Sequence, residues 1–293
     1  LDAAAVRRIF AAKGRPADNP LIVHIASREQ LDRLAAAVSP ASERLIARFW
    51  PGPLSLLFAR RPEVPDATTG GLDTVAVRMP AHPAALALIE AAGVPIAAPS
   101  ANRSGRPSPT RAEHVLADFG DEVRFVLDAG PCRVGVESTV VDARLGAAEI
   151  LRPGGVTAEA LAELGFAPLS RSGGERPRAP GMKYRHYAPE APVHLLPGDP
   201  SAQLERMQAL DDGAVVIASE ELLAACGGEG PRRLSYGRRD HPELIAAALY
   251  DLLRRADQVA PDAIWIEPVA ERGIGLAVMD RLRKAAAGGP PPR

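Results

Sequence analysis

Lys13-Gly-Arg15-Pro-Ala-Asp-Asn19-Pro20 puts an ammonium, a guanidinium and an amide on one short loop stiffened by two prolines. An arginine fork and a lysine point charge suit a phosphate or a carboxylate. The same cations at a helix C-terminus also offset the macrodipole, the favoured reading for Lys13 alone, whereas the octapeptide as a whole reads as a site. Thr74-Val-Ala-Val-Arg78-Met-Pro80 places Thr74, Ala76 and Arg78 on one face of a strand, with the guanidinium at the strand end. Pro99-Ser100-Ala-Asn102-Arg-Ser104-Gly105 follows an apolar strand and offers hydroxyl, amide and backbone donors to an anion, in the style that Arg106-Pro-Ser108-Pro-Thr110 continues. Val136-Glu137-Ser138-Thr139-Val140 and Ile150-Leu151-Arg152-Pro153-Gly154 again end strands in polar groups. His24 in Leu-Ile-Val-His-Ile reads first as a satisfied core histidine, with a contact residue as the alternative.

The sequence holds no Walker loop, no complete dinucleotide fingerprint around Gly273-Ile-Gly275, no nucleophile elbow and no His or Cys pair at ligand spacing. Cations, hydroxyls and amides without a nucleophile–base pair form a kit for positioning and charge neutralisation, as phosphoryl or nucleotidyl transfer requires.

The elements that must carry these groups fall into two halves. Up to about residue 167, strands at 21–25, 54–59, 74–78, 95–98, 124–128, 138–142 and 149–151 mix with helices without strict alternation, which predicts a mixed, twisted α/β sheet. Helices are expected at 2–12, 28–38, from Ser39-Pro40 onward, at 82–92 and at 157–164, with Thr110 and Glu113 forming a capping box for another. Residues 168–190 are rich in Gly, Pro, Ser and Arg and carry a net charge of +3, against −1 before them and −3 after. The stretch reads as a solvated linker or as a basic lid over an anionic ligand. From 191 to 293 strands alternate with helices, which predicts a smaller, parallel, doubly wound domain.

Composition narrows the class. Apolar residues make up 46% and charged residues 24%, the balance of a globular protein. A net charge of −1 argues against a coat for nucleic acid. Two distant cysteines, Cys132 and Cys226, exclude a disulfide framework and point to a reducing cytoplasm. No apolar run reaches membrane-span length.

Taken in order, KGRPADNPLIVHI, FWPGPLSLLF, TVAVRMP, APSANRSG, VESTVVD and ILRPGG resemble the threonylcarbamoyl-AMP synthase family, the Sua5/YrdC/YwlC proteins, and APGMKYRHYAP with the domain after it is similar to the longer, two-domain Sua5 form. The resemblance implies a YrdC-like catalytic domain at 1–167, a lid at 168–190 and a Rossmann-like Sua5 C-terminal domain at 191–293. It implies that L-threonine, bicarbonate and ATP give threonylcarbamoyl-AMP and pyrophosphate, and that the product passes to a transferase modifying adenosine 37 of tRNA. Lys13, Arg15, Asn19, Thr74, Ser100, Ser108, Arg152 and Tyr187 would then hold ATP, with Tyr187 closing over it from the lid. His24, Arg78, Ala98 and Ser138 would hold threonine. Mg2+ is expected with ATP, its protein ligands unassigned, and direct contact with tRNA is left open. The family pattern begins with an earlier strand of Thr-x-Thr-Val-Tyr-Gly-Leu type that supplies part of the threonine pocket, so the catalytic domain is expected to be N-terminally incomplete. A double-stranded RNA-binding module and a carbamoyl-transfer domain of the hydrogenase-maturation kind are the competing readings.

Overall fold

In the computed structural model, residues 2–166 and 186–287 are described. In chain order the first part holds α1 (Ala3–Lys13), β1 (Ile22–His24), α2 (Arg28–Asp32), α3 (Pro40–Phe49), β2 (Leu54–Ala59), α4 (Asp66–Thr69), β3 (Thr74–Arg78), α5 (Pro83–Ala92), β4 (Ile96–Ala97), α6 (Ala112–Phe119), β5 (Thr139–Asp142), β6 (Glu149–Arg152) and α7 (Ala158–Ala162). The second part holds β7 (Val193–Leu195), α8 (Pro200–Gln208), β8 (Ala214–Ala218), α9 (Glu220–Ala225), β9 (Arg233–Ser235), α10 (Pro242–Asp257), β10 (Ala263–Ile266) and α11 (Gly275–Ala286). The chain forms two compact units: unit 1 from residues 1–100 and 137–183, and unit 2 from residues 101–136 and 184–293.

Helix ends follow local chemistry. Asp2 accepts from the amides of Ala4 and Ala5, and Gly14 closes α1 in the left-handed region. Ser39 caps α3 ahead of Pro40, as the cap-plus-Pro order predicts.

Unit 1 carries a mixed sheet of order β4-β1-β3-β2-β5-β6. β1 and β3 run parallel, β2 is antiparallel to β3, β5 is parallel to β2, and β6 returns antiparallel. Alternation sorts its residues between two faces. Val23, Leu56, Phe58, Val75, Val77 and Val141 point to one face, where Leu31, Leu34, Leu45 and Leu161 from the surrounding helices and turns complete the main core. Ile22, Leu57, Ala76, Val140 and Leu151 form a thin apolar floor on the other face, and no described helix residue joins it.

Unit 2 carries an all-parallel sheet of order β7-β10-β8-β9, as the alternation of strands and helices predicts. Val216, Ala218 and Trp265 face α8 and α9, whereas Val215, Ile217, Ile264 and Ile266 face α10 and α11.

Several elements differ from the sequence expectation. Residues 124–128 form no strand: they pair with no described strand, and Phe125 and Leu127 stand exposed. The helix expected at 28–38 stops at Asp32, because the Ala36 amide bonds Ala59 and Arg61 bonds Leu34, so a tertiary bridge to the end of β2 takes the backbone. Thr110 does not cap α6: its amide donates to Nδ1 of His114, and Arg111 occupies the cap position. The short elements α4 and β9 had no periodicity long enough to announce them.

The boundary expected at residue 167 also differs from the observed one, because residues 101–136 fold with the C-terminal part. Within unit 2, buried Asp118 on α6 receives Arg254 of α10 through two bonds of 3.0 and 2.9 Å. Gly135 presses so closely on α10 that a Cβ there would lie 2.1 Å from the Ala246 carbonyl. The expected lid falls largely on residues 167–185, outside the described residues.

Candidate functional site

The thin face of the unit 1 sheet gathers most of the polar residues singled out by sequence. In the parallel pairing of β1 with β3, His24 stands opposite Arg78 and Ile22 opposite Ala76, so His24, Arg78 and Thr74 share the face of the apolar floor. Ala98 falls beside Ile22, to whose carbonyl its amide donates at 3.1 Å, which puts its methyl on the same face. Ser55 on β2 pairs with Val140, and Arg152 on β6 also pairs with Val140, which adds both to this face.

Because β3 and β1 run in one direction and β2 and β5 begin where they end, one edge of the face is polar. Arg78 donates its Nε to the Gly52 carbonyl at 2.9 Å. Buried Arg152 donates to the Ser138 carbonyl at 2.9 Å and to its hydroxyl at 3.2 Å, and that hydroxyl shares a 2.8 Å hydrogen bond with Ser55. Burial, then the neighbouring charge of Arg152, lowers the pKa of Arg78 to about 10. No carboxylate reaches ion-pair distance of Arg78 among the described residues. Burial, then the Arg78 charge, lowers His24 to about 4, with the carbonyls of Ile96 and Ile22 working against the shift. The imidazole is therefore neutral near pH 7, and its buried Nδ1 has no hydrogen-bond partner. Two guanidiniums held by backbone carbonyls and a neutral imidazole form a receptor for an anion that also carries hydroxyl or amino groups.

The remaining unit 1 residues lie at the other end of the same face, since Thr74 opens β3 four residues before Arg78, or about 13 Å at 3.3 Å per residue. Lys13 is buried at the end of α1 and donates its Nζ to the Ser100 carbonyl at 2.6 Å. Arg15 clasps Asn19 through its carbonyl, at 3.1 Å, and its side-chain oxygen, at 2.8 Å, and reaches the Pro20 carbonyl at 2.8 Å. The second side-chain atom of Asn19, the donor Nδ2, is buried without a hydrogen-bond partner. The loop reads as a preformed set of donors, fixed by its own hydrogen bonds before any ligand arrives.

Ser108 and Tyr187 belong to unit 2. Ser108 is buried there. Tyr187 has a positive φ of 65° and sits in the core of that unit, 5.6 Å from the Tyr250 ring and under the Arg281 guanidinium at 5.3 Å. Tyr187, expected in the lid, is therefore part of the apolar core of unit 2.

Three contributors escaped the sequence reading. Gly52 supplies the carbonyl that aims Arg78. Ser55 holds Ser138, and its signal was a single hydroxyl inside the buried strand Leu54-Ser-Leu-Leu-Phe58. Gly154 lets the β6 exit press against 137–139: a Cβ there would lie 2.3 Å from the Glu137 carbonyl.

A family model described as telomere recombination, Sua5/YciO/YrdC, matches residues 1–154, and one described as threonylcarbamoyl-AMP synthase, C-terminal domain, matches 156–287. The threonylcarbamoyl-AMP synthase of Pyrococcus abyssi is 47% identical over 302 residues, covering 98% of this chain and 85% of the relative. That of Bacillus subtilis is 45% identical, covering 97% and 84%, and that of Schizosaccharomyces pombe 39%, covering 97% and 80%. The crystal structure of P. abyssi Sua5 complexed with L-threonine superposes with a TM-score of 0.87 at 45% identity, covering 98% of this chain and 85% of that one.

Proposed function

The chain belongs to the Sua5/YrdC family and carries its Sua5 C-terminal domain, and on that premise we propose that it is a threonylcarbamoyl-AMP synthase serving the threonylcarbamoyl modification of tRNA. The observation that carries the reading is the pairing of Arg78 with Arg152 at the polar edge of the thin sheet face, with no carboxylate to neutralise Arg78 among the described residues. Such a pair is costly in the free protein and is relieved by an anion.

L-threonine fits this end by its chemistry. Its carboxylate would lie on Arg78, its hydroxyl or amine on the neutral His24 and on Ser138, and its methyl toward Ala98. ATP would lie along the face, with Lys13, Arg15 and Asn19 on its phosphates and Thr74, Ser100 and Arg152 on the nucleotide. The threonine amine adds to bicarbonate-derived CO2 to give a carbamate. A carbamate oxygen then displaces pyrophosphate from the α-phosphorus, which makes the reaction a nucleotidyl transfer. Two anions must meet in that step. The guanidinium and ammonium groups lower their repulsion, and the fixed loop orients them.

Among the described residues no group of three His, Cys, Asp or Glu side chains could hold a metal. The described residues form no magnesium cage, so any Mg2+ would arrive on the ATP phosphates, and no step runs through it. No described helix is long and apolar enough to cross a membrane; we place the reaction in the cytoplasm, with the product passed to a tRNA-modifying transferase. The double-stranded RNA reading gains nothing from the geometry: Lys13 and Arg152 are buried, whereas phosphate-backbone binding uses exposed cations.

The test is pyrophosphate release with L-threonine, bicarbonate and ATP, each omitted in turn. Release should require all three and fall at least a hundredfold in Arg78→Ala. Release independent of threonine would overturn the reading.

A further inference from the structure

The C-terminal sheet has a topological switch point that the synthase chemistry does not use. β8 and β10 are adjacent and parallel. β8 leads into α9, on the face of Val216 and Trp265, while β10 leads to α11, on the face of Val215 and Ile266. Their connections leave to opposite sides, and the region beyond the carboxyl ends at such a point is where open α/β sheets bind ligands.

The first residues beyond those ends are polar and buried. Glu267 follows β10 with 2% exposure and accepts from the Ser219 amide, just past β8, at 2.7 Å. Its other oxygen accepts from Nε of Arg239 at 2.6 Å. Tyr236, just past β9, adds its hydroxyl to Glu267; burial and then that carboxylate hold its pKa well above the usual phenol range, so it stays a donor. A carboxylate offers about four lone-pair sites, and these partners leave one open. Among the described residues the terminal nitrogens of Arg239 have no hydrogen-bond partner, and its side chain is 43% exposed. At the end of β7, Gln203 donates to the Pro197 carbonyl, while its own Oε1 is buried with no hydrogen-bond partner.

We propose that the carboxyl ends of β7, β10, β8 and β9 form a second ligand site, for a ribonucleoside phosphate. The open lone pair of Glu267 and the orphaned Gln203 oxygen accept from ribose hydroxyls, and the open fork of Arg239 takes the phosphate. An apolar pair at Glu267 and Tyr236 would cost the fold less than a buried carboxylate. The site is independent of the threonine and ATP contacts in unit 1.

The experiment is photolabelling of the full chain with 8-azido-AMP, followed by peptide mapping. Label is expected in peptides covering 197–206 or 219–239, chased by AMP and at least tenfold less well by 2′-deoxy-AMP. Arg239→Lys, which keeps a charge beside Glu267 and loses the fork, should cut that label at least tenfold with an unchanged melting temperature; Arg239→Ala should cut it as far but melt lower, because buried Glu267 loses its counter-ion. Absence of label there, or label indifferent to both variants, would overturn the proposal. Label confined to unit 1 would sink this site and leave the synthase reading standing. Label confined to unit 2 would support this site and leave the synthase reading to the pyrophosphate-release assay.

Discussion

Replacing Arg78 by Met should make the free protein more stable and blind to threonine. The guanidinium is largely buried, faces the Arg152 charge and has its pKa lowered from the usual guanidinium range to about 10. At 1.36 kcal/mol per unit that displacement amounts to a penalty of about 3 kcal/mol on the charged form. A folded pKa below the unfolded one penalises the cation at every pH below about 10, so the penalty is complete at pH 7. Removing Arg78 also removes its bond to the Gly52 carbonyl, and a bond from a charged donor contributes roughly 1.5–3 kcal/mol. The balance favours the variant by about 1 kcal/mol, or roughly 2–4 °C for a unit of this size. Methionine fills much of the same volume, so a cavity cost does not intrude. Thermal melts with and without saturating L-threonine provide the assay. Wild-type protein should melt higher with threonine by mass action, whereas Arg78→Met should melt higher than wild type without ligand and show no threonine response. A melting temperature several degrees below wild type would mean that the fold already compensates Arg78. A retained threonine response would remove Arg78 from the pocket.

Three further outcomes follow from the geometry. Tyr187→Ala should lower the unfolding free energy by about 3–5 kcal/mol through a core cavity, read as a shift of the urea midpoint without nucleotide; an unmoved midpoint would restore Tyr187 to the role of a lid. Gly154→Ala should destabilise by about 2 kcal/mol and cut pyrophosphate release at least tenfold, because its Cβ collides with the Glu137 carbonyl and shifts the Ser138 carbonyl that holds Arg152; wild-type turnover would show that the turn adapts. His24 stays neutral in the folded protein down to about pH 4 but takes a proton in the unfolded chain near 6.5, so its contribution is complete above 6.5 and falls by about 3 kcal/mol as the pH drops toward 4. Urea midpoints at pH 7.5 and 4.5 should converge in His24→Gln, and an unchanged pH dependence in that variant would exclude the histidine as the cause.

The strand ends were legible in the sequence because apolar runs such as 21–23 and 75–77 stop at a charged or hydroxyl residue or at a histidine. Period two put Thr74, Ala76 and Arg78 on one face, and the register bears this out. What the sequence does not encode locally is which strands neighbour one another. The opposition of His24 and Arg78 depends on β3 lying beside β1, although an antiparallel partner precedes β3 in the chain. Ser55 went unread for the same reason, since a lone serine gains meaning only once β5 places Ser138 against it. Residues 124–128 carry the apolar strand formers Phe125, Val126 and Leu127, but such residues state a preference for a pleated surface and do not supply the neighbour. The Thr110 cap failed because His114, four residues on, captured the amide. Tyr187 misled because basic, proline-rich flanks describe a linker by composition, while burial of its own ring is a tertiary fact.

The two faces of the unit 1 sheet explain how polar edge and stable fold coexist. Leu31, Leu34, Leu45, Phe58 and Val77 are fully buried on the helix-covered face, where burial of each side chain contributes on the order of 1.5–3 kcal/mol. That face can hold the sheet without help from its opposite side, so the thin face is free to carry groups that oppose folding: among the described residues, a guanidinium without a counter-ion, a buried imidazole nitrogen and an asparagine amide without partners. These are the groups a charged, hydroxyl-bearing ligand would satisfy. The strain therefore sits where binding relieves it, and the same accounting explains why removing Arg78 should stabilise the protein while removing Tyr187 should not.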